Sequence, residues 1–137
     1  MKSAGYQFLV TCAAFGNRTF TKMTGGEKSS ATTKYRDGGA TVPDVLPAPP
    51  EVSDVVLTNA YDPDIDGSLL KTAKAQVGIL RTVITKVPLF GDMTRAPGGL
   101  PDVFTNALLK GVKLPEVDAN SGDPATYELT FSVGDVT

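Results

Sequence analysis

Apolar and polar residues alternate most regularly at the end of the chain. Ala125, Tyr127, Leu129, Phe131 and Val133 alternate with Thr126, Glu128, Thr130 and Ser132. A period of two predicts a strand with one apolar face, and Tyr127, Leu129, Phe131 and Val133 form its expected buried row. Val103 to Leu114 is a second β-prone run with two mixed faces, and PEVDANSGDP between the two runs predicts a long irregular loop. At the other end, Tyr6, Phe8, Val10 and Cys12 share one face of a first strand. Phe15-Gly16-Asn17 signals a turn, and Arg18 to Met23 reads as a second strand. After a break at Thr24-Gly25-Gly26, Lys28 to Arg36 predicts a Ser/Thr-rich strand with mostly polar faces, ended by Asp37-Gly38-Gly39. Residues 18–36 are thus expected to form a long hairpin.

The middle of the chain changes character. Thr41 to Pro50 holds four prolines, which cannot donate to a ladder, so residues 37–52 are expected to form an extended, semi-rigid arm. Val42, Val45 and Leu46 make that arm apolar. They need a surface to cover, on their own domain or on a neighbouring subunit. Ser53 to Asn59 is the next strand. Ile65, Leu69, Leu70, Ala73 and Val77 then fall at helical spacing. Asp62 suits the N-cap and Pro63 the first helical position. Asp64 and Asp66 sit where the helix dipole favours negative charge, and Gly78 is placed to end the helix. Ile79 to Val87 is a β-branched strand stopped by Pro88, and Gly91 to Pro101 is a loop. The order predicts a mainly β fold, a β-sandwich or partly closed barrel of about seven strands with one flanking α-helix. No repeat or linker divides it, so residues 1–137 are expected to be a single domain.

Composition narrows the chemistry. An apolar share of 41% with 20% charged residues is that of a soluble globular domain. A net charge of −2 gives no overall case for nucleic-acid binding. With no histidine and Cys12 as the one cysteine, an intrachain disulfide is impossible and a zinc site is not expected. Cys12 is expected to be a buried thiol. No segment is long enough to span a membrane. The start resembles an export signal in its lysine and small residues, but Gln7 interrupts its apolar run, so a first strand is expected instead. Asn17-Arg18-Thr19 is a glycosylation sequon that has meaning only with export.

Charge is unevenly placed. Arg18, Lys22, Lys28, Lys34 and Arg36 face only Glu27 over residues 18–36. Asp37, Asp44, Glu51, Asp54, Asp62, Asp64 and Asp66 follow with no base among them. The pattern fits two solvated faces or a head-to-tail contact between copies, with Lys34, Arg36, Asp62 and Asp64 as candidates.

No cofactor, metal or catalytic constellation emerges. Asp62-Pro63-Asp64-Ile65-Asp66-Gly67 has the first half of a calcium loop. Its twelfth position, however, is Ala73 where a bidentate acid is needed, so helix capping is the expected role. Gly25-Gly26, Gly38-Gly39 and Gly98-Gly99 lack phosphate-loop spacing and are expected to be turn residues with positive φ. The basic hairpin with Phe20 and Tyr35 is too sparse in aromatics for a stacking platform. Nothing singles out a pair of acids for glycoside chemistry.

The order of features resembles the tail tube proteins of long-tailed bacteriophages, a family related in fold to the inner tubes of contractile injection systems. The resemblance runs through YQFLVTCAAFGNRTFTKMTGG, the return strand ending KYRDGG with Tyr35, Arg36 and Gly38, the proline-bearing arm, the junction VSDVVLTNAYDPDID and the single helix. It ends in NALLKGVKLPEVDANSGDPATYELTFSV, where Pro115 and Asp118-Ala119-Asn120 precede the last strand. The absence of tryptophan and the richness of the arm in proline depart from the family pattern. The resemblance implies a non-enzymatic virion tail protein assembled in the host cytoplasm. It implies hexameric rings stacked into a hollow tube, through which DNA passes without specific binding. Partners implied are copies of the chain, a tail terminator, a tape measure and baseplate or tip proteins, with no membrane. Val42, Val45 and Leu46 are then expected to pack on a neighbour. Glu116, Asp118 and Asp123 would lie at a ring edge, and Thr126, Glu128, Thr130 and Ser132 would line a lumen or a neighbour. The alternatives are the inner tube of a contractile system that delivers proteins, a monomeric β-sandwich binding module and, last, a small enzyme.

Overall fold

The computed structural model describes residues 8–16, 18–36, 38–39, 41–89, 98–116, 119–120 and 122–137. Tyr6, Asp37, most of the loop expected at 91–101 and Asp118 lie outside them. The strands are β1 (Phe8–Cys12), β2 (Thr19–Phe20), β3 (Lys22–Gly25), β4 (Lys28–Ser30), β5 (Thr33–Tyr35), β6 (Asp44–Leu46), β7 (Pro50–Val52), β8 (Val55–Ala60), β9 (Arg81–Pro88), β10 (Asp102–Lys113), β11 (Thr126–Ser132) and β12 (Asp135–Val136). Helix α1 spans Pro63–Ala75, and a 3-10 turn at Ala13–Phe15 follows β1.

The main sheet is antiparallel and runs β2-β1-β9-β10-β11-β8-β3, with β12 on β10. β2 and β3 are consecutive in the chain yet lie at opposite ends of that order. One stretch, Thr19–Gly25, therefore bends at Thr21 and lends its halves to both edges. Only a curled sheet allows this, so the fold is a partly closed barrel of mainly β structure. Side-chain bonds stitch the closure. Asn59 Nδ2 donates to the Thr19 carbonyl at 2.8 Å, and Thr21 donates to the Thr58 carbonyl from both its N–H and its hydroxyl, each at 3.1 Å. The second strand expected over 18–23 is thus two strands with different partners.

The last strand pair behaves as its pattern demands. Tyr127, Leu129 and Phe131 are fully buried, and Val133 nearly so. Val10, Cys12, Phe20, Val55, Leu57, Ile84, Phe104 and Leu109 complete the barrel interior. Helix α1 joins β8 to β9 across β11 and β10, and seals the core with Leu70 and Ala73. Asp62 caps it as expected, its carboxylate accepting from the Asp64 N–H at 3.1 Å, with Pro63 in the first turn. Gly78 follows with φ of 80°, so the turn that ends the helix needs a residue tolerant of the left-handed region. Asn106 takes up φ of 53° in a bulge of β10, where Arg81 Nη1 donates to its side-chain oxygen at 2.7 Å. Burial pushes the Cys12 thiol above its ordinary value of 9.0, so it is a poor nucleophile as well as an inaccessible one.

The hairpin differs from expectation. The Ser/Thr-rich strand does not pair with residues 18–23. β3 pairs with β8, β4 with β7 and β5 with β6. Residues 22–60 therefore form one interrupted hairpin, and the proline-bearing segment is its return strand. Proline is tolerated there because the ribbon beyond β3 and β8 has only two strands, so each has a free edge. Lys34 and Asp44 thus sit on adjacent strands of one ribbon. The basic and acidic blocks of the sequence lie side by side, and their separation along the chain does not become two distant patches.

Candidate subunit interface

The outer part of the hairpin forms an arm. Gly25 and Gly26, with φ of 83° and 80°, redirect the strand where the arm leaves the barrel. Pairing continues through this hinge, because Ser53 N–H donates to the Glu27 carbonyl and Glu27 N–H to Ser53 Oγ, both at 2.9 Å. Lys28 Nζ, 2.9 Å from Asp135 Oδ1, ties the arm's root to β12. Every residue of β4, β5 and β6 is exposed. Val42 is 77% exposed, Val45 58%, Leu46 48% and Tyr35 55%. Of the two surfaces open to the arm's apolar residues, its own domain leaves them about half exposed or more.

Register sorts these residues in a way that the sequence did not reveal. Directly opposed residues of an antiparallel pair share a face. Tyr35 opposes Asp44 and Thr33 opposes Leu46, so Tyr35, Asp44 and Leu46 share one face, while Val45 shares the other with Lys34. Val45 and Leu46 thus point oppositely, and Tyr35 joins Leu46 as an exposed apolar contributor. Arg36 follows β5 and is exposed. Glu116 is exposed and sits 3.9 Å from Lys113 in a loose ion pair, and Asp123 is exposed nearby.

The aspartates of the helix start serve three purposes. Asp62 caps, Asp64 is exposed, and Asp66 is fully buried. Asp66 accepts four donors: Arg18 Nε at 2.9 Å and Tyr127 O–H at 2.9 Å on Oδ1, with Arg18 Nη2 at 2.7 Å and the Asp62 N–H at 2.8 Å on Oδ2. Four bonds fill the acceptor capacity of a carboxylate. This cluster joins the segment before β2, the helix and β11. Among the described residues, no three acid, cysteine or histidine side chains come together as a metal site. Sequence reasoning missed the cluster, although one period-two signal touched it: Tyr127 is the only residue of the buried row with a polar tip, which needs a buried partner.

Tyr127 gives a measurable signature. Burial, ahead of its hydrogen bonds, raises its phenol above the ordinary 10.0. An acid whose folded value is raised contributes stability that is full below its unfolded value and lost as pH climbs through the folded one. Stability should therefore hold up to about pH 10 and fall above it. In a phenolate absorbance titration, one of the four tyrosines should ionise last, together with unfolding. Tyr127→Phe should remove that late step; its persistence would assign the step to another tyrosine.

The outward face of the sheet is polar and uncluttered. Lys113, Glu128, Thr58 and Lys22 form one cross-strand row, and Gly111, Thr130, Val56 and Thr24 the next. Opposite charges and short hydroxyl side chains alternate there.

This architecture defines a class of protein. No protein-family model matches the chain, and no curated protein matches it either. Solved structures do. A chain of the sheath–tube complex of PVC, an extracellular contractile injection system in its extended state, superposes with a TM-score of 0.79 at 23% identity, covering 99% of this chain and 90% of that one. A chain from the anti-feeding prophage cap, which terminates the tube, gives 0.80 at 20% identity, covering 100% and 90%. Hcp1 of Flavobacterium johnsoniae gives 0.51 at 14% identity, covering 96% and 94%. The chain has the tail-tube-like fold that the sequence resembles.

Proposed function

We propose that this chain is the subunit of a hollow tube, with copies joined into rings, six to a ring, and rings stacked. It acts as a structural conduit and does no chemistry. One observation carries the proposal: the arm leaves Tyr35, Val42, Val45 and Leu46 about half exposed or more within its own subunit. Burying the part of such side chains that is still exposed stabilises by roughly 1 kcal/mol each, and a neighbouring copy supplies the surface. The fold supports the same role, since its structural neighbours come from tube, terminator, cap and baseplate assemblies. A terminator and a baseplate are the partners implied. The Thr-rich outer face, with Thr126, Glu128, Thr130 and Ser132, is the proposed wall of the lumen or of a neighbour contact. Glu116, Asp118 and Asp123 are the proposed ring-edge contacts.

The virion-tail version, with DNA passing through the bore, rests on the sequence resemblance. The version with a contractile injection particle is supported by the neighbours, two of which come from an extracellular contractile injection system; a protein cargo is the alternative that this version carries.

Electron microscopy of the purified protein tests the proposal. Stacked rings are expected from the native chain. The variant Val42→Ser/Val45→Ser/Leu46→Ser should remain folded by circular dichroism and form no tubes. Normal tubes from that variant, or a persistent monomer of the native chain at high concentration, would sink it.

A further inference from the structure

A second unsatisfied surface lies beside the helix. A groove of about 590 Å³ runs between α1 and the end of β10. Its floor is Tyr61, Leu70, Leu114 and Pro115, and Lys71 and Lys74 stand on its helical rim. The two lysines are three residues apart, so they are neighbours on the helix surface. Both are exposed, and neither forms an ion pair with another described residue. Leu114 is 46% exposed.

The arm carries the complement on one face only. Tyr35 and Leu46 flank Asp44 there, and Asp44 is exposed and has no ion pair with a described residue. The opposite face carries Lys34, whose charge the rim lysines would repel. We propose that the groove seats the arm tip of a second copy, with Tyr35 and Leu46 on the apolar floor and the Asp44 carboxylate between Lys71 and Lys74. This rests on the tube reading and names the receiving surface that it requires. The two patches differ, so each copy gives an arm and receives one. Such a heterologous contact repeats head to tail and builds rings or stacks rather than closed pairs. Charge complementarity thus pairs one acid of the arm with two helix lysines outside both charged blocks, rather than pairing the two blocks with each other.

Site-directed cross-linking tests the contact in the full-length chain. The native background suits it, since buried Cys12 is inaccessible to a copper–phenanthroline oxidant. Leu46→Cys combined with Leu114→Cys should give a ladder of covalent oligomers. Val45→Cys with Leu114→Cys, on the wrong face, should give none. Asp44→Lys should cut the assembled fraction about tenfold, and adding Lys71→Asp and Lys74→Asp should restore it. If arm-tip serine variants block assembly while Lys71→Asp/Lys74→Asp assembles like the native chain and no ladder forms, the groove assignment is wrong and the tube reading stands. If the arm-tip variants assemble normally, the tube reading fails first. A ladder from the Val45 pair but not the Leu46 pair also overturns the assignment.

Discussion

Asp66→Ala should lower the melting temperature by roughly 10 °C, the cost of breaking a paired carboxylate inside a domain of this size. Four donors converge on this side chain, and it is fully buried. Its loss leaves the Arg18 guanidinium and the Tyr127 hydroxyl without their acceptor. Arg18 keeps 22% of its side chain in contact with solvent, so the loss falls near the lower end for such pairs, about 3 kcal/mol. Asp66→Asn should do little better, because an amide NH₂ would face a donor where an acceptor is needed. Tyr127→Phe should cost less, about 1–2 kcal/mol, since it removes one donor and leaves three. Thermal denaturation of the three variants orders these effects. A shift of only a degree or two for Asp66→Ala would show that the cluster adds little to the fold.

Gly25→Ala should uncouple the arm from the barrel. The backbone there has φ of 83°, and an added methyl group would overlap the carbonyl oxygen of Asp54, the residue just before β8. The left-handed conformation costs an alanine about 1–2 kcal/mol, and relieving the overlap about 1–3 more. The local alternative is for Val55 and Gly25 to part, which releases β4 and β7 from their root. Gly26 has the same hand, and a methyl group there would press on the Phe104 ring at 2.6 Å. Limited proteolysis should therefore cut Gly25→Ala within residues 28–52 much faster than the native chain, while the barrel fragment stays intact. Tube formation should fail for lack of a positioned arm. Equal protection of the arm in both proteins would place the hinge elsewhere.

Much of the fold was legible because its signals are local. The helix announced itself through Asp62, Pro63 and the 3.6 period, and its cap lies where the chemistry of a short acid puts it. The buried row of β11 followed from strict alternation, which a half-buried strand enforces. Strand pairing was not legible in the same way. Residues 18–23 and 28–36 look like a hairpin because a glycine pair lies between them. In space those glycines kink one long strand, and the true turn lies some ten residues further on. Alternation says that a stretch is extended, but it does not say which stretch it meets.

The sequence by itself determined the helix and its cap, the extended runs of the main sheet, the core row and the presence of an apolar, proline-bearing stretch in need of a surface. These follow from side-chain spacing and backbone propensity, which act within a few residues. Only the tertiary structure decided that Thr19–Gly25 bridges both sheet edges and that Arg18, Asp66 and Tyr127 meet. It alone put Tyr35 beside Leu46 and turned Val45 away. Those facts depend on register and closure over tens of residues, where a shift of one position exchanges every face.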